Sequence, residues 1–314
     1  MSRVAVIGAG AVGCYYGARL AEAGHDVCFL MRSDYDAVAR DGLSIESVAG
    51  DLVLPQPSIA RTSAEIGPVD WVVCALKATA IEDARDLIAP CLGETTRVLL
   101  LMNGLGLEER AAEWFGPHRV FGGLAFVGIN RVEAGQIRHL YFGDVTLAHL
   151  EDDPAELAAA AALWADANVP TQTAASLLAA RWTKLCWNIP FNGLCVTAGG
   201  VTVDRVMGDP VLHEAAARLM HEVIAAGNAD LAAHGSETRI DETTLVPDLM
   251  ERTVRIGVYR PSTMIDFVEG RPMEVEAMFG EPLRRASVLG VDTPLLALVT
   301  AQIRALDERA TAQR

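Results

Sequence analysis

Three glycines in G-x-G-x-x-G spacing, Gly8, Gly10 and Gly13, fall between an apolar β-branched run and a helical pattern. Few folds accommodate that order. Val4 to Ile7 reads as a buried parallel strand, and Val12 to Ala23 as the helix that follows it. Within Gly8-Ala9-Gly10-Ala11-Val12-Gly13, the first glycine permits a tight strand-to-helix turn. The second lets the backbone approach a pyrophosphate, and the third lets the helix pack closely on the strand. Unpaired N–H groups and the positive dipole end of that helix then form an anion site. Residues 8–13 are therefore predicted to hold a dinucleotide.

The second strand, Val27 to Met31, decides which dinucleotide. An NAD site wants Asp or Glu at this tip for the ribose 2′-hydroxyl. Here Arg32-Ser33 follows, and a guanidinium pairs bidentately with a 2′-phosphate. NADP(H) is the expected cofactor, although Asp34 lies close enough to blur the distinction. A net charge of −15 disfavours nucleic acid and anionic membranes as partners, so a site for anionic ligands must be locally basic. Apolar residues make up 51% of the chain, which opposes disorder, yet no run reaches a membrane span and no signal peptide precedes the glycine turn. The 6 cysteines lack metal-ligand spacing and read as reduced, buried thiols of a cytoplasmic protein. No metal is implied.

At 314 residues two domains are expected, 1–175 and 176–314. In the first, a short helix spans Tyr35 to Arg40, and Leu43–Ser47 with Asp51–Leu54 form a hairpin turning near Gly50. Val69 to Leu76 is a buried strand ending in Lys77, and Arg97 to Met102 one ending in Asn103-Gly104. Ligands in open α/β sheets gather beyond the carboxyl ends of strands, where Gly8–Gly13, Arg32, Lys77 and Asn103 all fall. The plainer readings are a surface lysine at 77 and a turn pair at 103–104. Val120-Phe121, Phe126–Asn130, Gln136–Leu140 and Val145–Leu147 read as short antiparallel pieces, with a helix from Pro154 to Ala167 after them.

From Leu177 the pattern is almost wholly helical. Lys184, Asn188 and Asn192 recur at i, i+4, i+8 among Trp182, Leu185, Trp187, Ile189 and Phe191, so one helical face carries a polar stripe. It lines a binding site or faces solvent. Pro190 is expected to kink or end this helix. Further helices are expected over Pro210–His234, Pro247–Val258, Glu274–Ala286 and Pro294–Ala310. Thr263 and Glu274 flank a loop with a turn at Gly270 and Pro272, and Glu274 suits a helix first turn.

Taken together, G-A-G-A-V-G at 8–13, L-K at 76–77, N-G-L-G at 103–106, W-T-K-L-C-W-N-I-P-F-N at 182–192 and S-T-M-I-D-F-V-E-G-R-P-M-E-V-E at 262–276 resemble the ketopantoate reductases. The resemblance covers nearly the whole chain. It implies an α/β fold with an N-terminal Rossmann-type doubly wound sheet that binds NADPH. It also implies a C-terminal all-α domain of the 6-phosphogluconate dehydrogenase C-terminal-like type, with the active site in the cleft between. By the same resemblance Lys184 is the catalytic lysine and Glu274 the substrate-binding and catalytic carboxylate. Asn103 touches cofactor and substrate, Asn188 and Asn192 are substrate asparagines, and Thr263 stands where the family usually has serine. The chain departs from the pattern at Gly193, where proline is common, and over Cys195 to Gly200.

The implied reaction is NADPH-dependent reduction of 2-dehydropantoate to pantoate in pantothenate biosynthesis. A positioned lysine ammonium would stabilise and protonate the carbonyl oxygen. The alternatives are reduction of another 2-oxo acid, an imine-forming or β-hydroxyacid dehydrogenase on the same plan, and a non-catalytic NADP(H) sensor. The partner is a small-molecule 2-oxo acid, and the chain is a monomer or homodimer.

Overall fold

A computed structural model describes residues 1–312. Their contacts divide the chain into two compact units. One comprises Met1–Met102 and Leu107–Leu177, the other Asn103–Gly106 and the chain from Leu178 onward.

The first unit is built on ten strands: β1 (Arg3–Ile7), β2 (Asp26–Leu30), β3 (Leu43–Ser47), β4 (Leu52–Leu54), β5 (Ser58–Ala60), β6 (Trp71–Cys74), β7 (Arg97–Leu100), β8 (Val120–Glu133), β9 (Gln136–His149) and β10 (Thr171–Thr173). They form one sheet in the order β4-β3-β9-β8-β7-β6-β1-β2-β5, with β10 beside β9. The stretch β5-β2-β1-β6-β7-β8 is parallel throughout. Counted along the chain those strands run 3-2-1-4-5-6, the doubly wound dinucleotide-binding order, whose direction reverses between β1 and β6. Val4–Ile7 and Trp71–Cys74 are buried, as strands covered on both faces must be. The Ala11–Glu22 helix lies against them; a Cβ at Gly17 would collide with Phe29 and Val6.

The predicted β3–β4 hairpin forms, pairing Leu43 with Leu54. The pieces expected between 120 and 147 are instead two continuous 14-residue strands, β8 and β9, paired antiparallel with bulges. Glycines within these strands act as clearances. A Cβ on Gly123 would lie 2.4 Å from Leu101, and one on Gly128 2.7 Å from the Tyr141 ring.

The second unit is helical beyond its 103–106 segment: Leu177–Thr197, Val203–Gly208, Pro210–Ala233, Glu242–Ile256, Ser262–Val268, Glu281–Val288 and Pro294–Ala312, with a π-helical turn at Glu276–Gly280. Pro190 does not end its helix, which runs on to Thr197. Side chains from Leu185 to Val196 are buried, and such packing outweighs the roughly 3 kcal/mol of an interior proline. Pro247 is likewise internal, because Asp241 caps the helix earlier by accepting from the Thr243 N–H (3.0 Å). Thr263 sits on the short Ser262–Val268 helix. No helix of the described residues is long and apolar enough to cross a membrane.

Candidate active site

At the end of β1 the three glycines do three different jobs. Gly8 has φ +94°, and a Cβ there would lie 2.7 Å from the Ala75 backbone, so the turn is pressed against the end of β6. A Cβ on Gly13 would lie 2.2 Å from the Gly8 carbonyl oxygen, so the helix can start this close only without a side chain. A Cβ on Gly10 would meet nothing within 4 Å among the described residues. The space over position 10 is therefore open, unlike that over positions 8 and 13. Gly10 caps the Ala11–Glu22 helix without a side-chain bond, and no acidic residue stands in the first turn. The first N–H groups of a helix have no intrahelical acceptor. Ala9, Ala11 and Val12 complete the turn.

Arg32 follows β2 with its side chain exposed, and Lys77 follows β6, also exposed, at the start of the short Ala78–Ala80 turn. Both therefore stand beyond the carboxyl edge of the parallel sheet, as the sequence predicted. Asp34, the residue that blurred the cofactor reading, is committed elsewhere. Its carboxylate accepts from Arg131 Nη1 (2.9 Å), the Ser33 hydroxyl (2.8 Å) and the Gly135 N–H (3.4 Å). No sequence spacing signals this pairing, since Arg131 lies on the far strand β8.

In the helical unit the polar stripe is not a solvated face, since Asn188 is 6% exposed and Asn192 2%. Lys184 Nζ donates to Asn103 Oδ1 (2.9 Å). Asn192 Nδ2 donates to the Asn188 carbonyl (2.9 Å), and its Oδ1 accepts the Thr263 N–H (3.0 Å), fixing the start of the Ser262–Val268 helix. The fold thus joins Lys184 to Asn103 and Asn192 to Thr263. Asn103 is held by its own neighbours. The Leu105 N–H donates to the Ala277 carbonyl (2.9 Å), and a Cβ on Gly104 (φ +113°) would lie 2.5 Å from the Ala277 Cβ. Asn103-Gly104 is consequently more than a turn pair, and sequence reasoning missed the π turn that receives it. Glu274, 7% exposed, precedes that turn, and its carbonyl accepts the Met278 N–H (3.1 Å).

Two of the departures from the family pattern, Gly193 and Gly200, have packing causes. A side chain at Gly193 would strike Val299 (2.7 Å) and Phe279 (3.3 Å). Gly199 and Gly200, both at positive φ, close the Leu177–Thr197 helix, and a Cβ on Gly200 would lie 2.8 Å from Val268. All six cysteines are free thiols, five of them buried and Cys28 partly so.

A Rossmann-type nucleotide fold and a helical unit carrying a partly buried lysine–asparagine pair define a class of nicotinamide-dependent oxidoreductase. The chain belongs to the ketopantoate reductase family: residues 4–152 match the Ketopantoate reductase PanE/ApbA model and residues 176–307 its C-terminal counterpart. A 2-dehydropantoate 2-reductase of Nostoc sp. is 37% identical, over 98% of this chain and 96% of that protein. Crystal structures of 2-dehydropantoate 2-reductases superpose closely. That from Geobacter metallireducens has a TM-score of 0.92 at 40% identity, covering 96% of this chain and 99% of that one. That from Methylococcus capsulatus has 0.88 at 30%, covering 98% and 97%.

Proposed function

We propose that this protein reduces 2-dehydropantoate to pantoate with NADPH, in the cytoplasm, as a step of pantothenate biosynthesis. The observation that carries the reading is the Lys184 ammonium held 2.9 Å from the Asn103 amide oxygen, on the helical face that also carries Asn188 and Asn192. Residues 1–175 hold the dinucleotide and residues 176–314, together with Asn103, hold the substrate.

Gly8, Ala9, Gly10, Ala11, Val12 and Gly13 take the pyrophosphate, while Arg32 and Lys77 supply the local positive charge that a 2′-phosphate needs within an acidic molecule. The chemistry a reduced nicotinamide supplies when bound is a hydride for the C2 carbonyl carbon. Lys184 answers the negative charge that grows on the carbonyl oxygen and gives that oxygen a proton. Asn103 aims the ammonium by accepting one of its hydrogens. Asn188, Asn192 and Thr263 orient the substrate carboxylate and hydroxyl through neutral hydrogen bonds, Asn192 partly by holding the Thr263 backbone. Glu274 binds a substrate hydroxyl. A monomer or a homodimer satisfies this scheme, and no metal enters it.

The test is steady-state consumption of NADPH, followed by its nicotinamide absorbance, with 2-dehydropantoate and with a panel of other 2-oxo acids. The highest kcat/KM is expected with 2-dehydropantoate. A higher value with another 2-oxo acid would replace the substrate, and tight NADPH binding without turnover of any would replace the enzyme by a sensor.

A further inference from the structure

The ion pair between Asp34 and Arg131 has a place in the fold that a surface salt bridge lacks. Asp34 stands just beyond β2, in the stretch where dinucleotide folds present an acid to the adenosine ribose. Its side chain is only 10% exposed, yet Arg131 reaches it from β8, at a sequence distance of 97 residues. The tip of the β8–β9 hairpin closes over the same place. The Gly135 N–H donates to Asp34, the Gly135 carbonyl accepts the Ser44 N–H (2.9 Å), and a Cβ at Gly135 would press on Val38 at 3.0 Å. The charges of the pair are felt on the helix that follows the glycine turn. The Cys14 thiol, which donates to the Ala9 carbonyl (3.3 Å), is pushed up to about 12, chiefly by burial and then by the Asp34 carboxylate, with Arg131 pulling the other way.

A bare carboxylate here would serve NADH and oppose NADPH. It accepts from a ribose hydroxyl, and it repels a 2′-phosphate carrying close to two negative charges. We propose that Arg131 is a specificity-determining positioning residue: by neutralising Asp34 from the neighbouring strand, it removes the NAD-type acceptor from the β2 tip and leaves Arg32 to select the 2′-phosphate. Arg131 acts through Asp34 and need not touch the nucleotide. The inference rests on the reading of residues 8–13 and Arg32 as an NADP(H) site.

The experiment measures dissociation constants for NADPH and NADH, by quenching of tryptophan fluorescence, for the wild type, Arg131→Met, Asp34→Asn and the double variant. Thermal melting without coenzyme reports folding alongside. The wild-type ratio alone decides the cofactor reading. The change in that ratio decides the proposal from any starting ratio, so the two can fail separately. Arg131→Met frees the carboxylate and is expected to shift the ratio toward NADH by about tenfold. Asp34→Asn keeps the oxygen that accepts from Gly135 and is expected to keep or raise the preference for NADPH. In the double variant the preference returns. Equal weakening of both coenzymes in Arg131→Met, or a double variant as impaired as Arg131→Met, would overturn the proposal. If Arg131→Met does not fold, a shift toward NADH in Asp34→Asn would overturn it equally.

Discussion

Position 10 is open and position 13 is closed, although the same residue type occupies both. This contrast separates binding from stability within one turn. Gly10→Ala is expected to cost about 1 kcal/mol or less in urea unfolding while weakening NADPH on the order of tenfold. Gly13→Ala puts a methyl 2.2 Å from the Gly8 carbonyl oxygen. It is expected to cost about 3 kcal/mol of stability before any ligand is added. Asn192 is the comparable test in the helical unit. Asn192→Ala leaves the buried Thr263 N–H without its acceptor, for a loss of about 1–3 kcal/mol in denaturant titration. If Asn192→Ala matched the wild type in stability, the bond to Thr263 would not hold the Ser262–Val268 helix in place.

Among elements, the segment Asn103–Gly106 and the π turn at Glu276–Gly280 form a pair that neither stretch signals alone. Gly104→Ala would force a side chain into positive φ and against Ala277, at about 1–3 kcal/mol. With Asn103 displaced from Lys184, kcat is expected to fall more than melting temperature suggests; unchanged kcat would detach the segment from catalysis. The parallel strands and the glycine turn were legible because each is written in contiguous residues: an apolar β-branched run, then a fixed spacing. The Lys184–Asn188–Asn192 stripe was legible because helical period alone aligns it. Pro190 misled, since local propensity does not register the burial that overrides it. The length of β8 and β9 was hidden for a related reason. The side chains of Leu101 and Tyr141 fill the space that Gly123 and Gly128 leave, which no local spacing shows. The pairing of Asp34 with Arg131 and of Leu105 with Ala277 was beyond reach, because each joins residues whose meeting depends on the tertiary fold.

At the scale of the whole molecule, buried thiols in both units set an alkaline limit. Burial pushes Cys14, Cys74, Cys186 and Cys195 up to about 12 and Cys91 to about 11. The folded protein therefore keeps protons that the unfolded chain releases above the usual thiol value of 9.0. Their contribution is complete below pH 9 and is lost as pH rises toward 12, or toward 11 for Cys91, each thiol weakening the fold by about 1.4 kcal/mol per pH unit between its two values. Urea midpoints measured upward from pH 8 should fall steeply past 9, and a flat profile would contradict the burial. The account as a whole turns on Lys184 as the group that answers the carbonyl oxygen. The most direct measurement is kcat for 2-dehydropantoate in Lys184→Ala, with NADPH affinity and melting temperature determined on the same sample. The account predicts a kcat lower by about 10²–10⁴-fold with coenzyme affinity retained. A folded Lys184→Ala protein that turns over at the wild-type rate would contradict it.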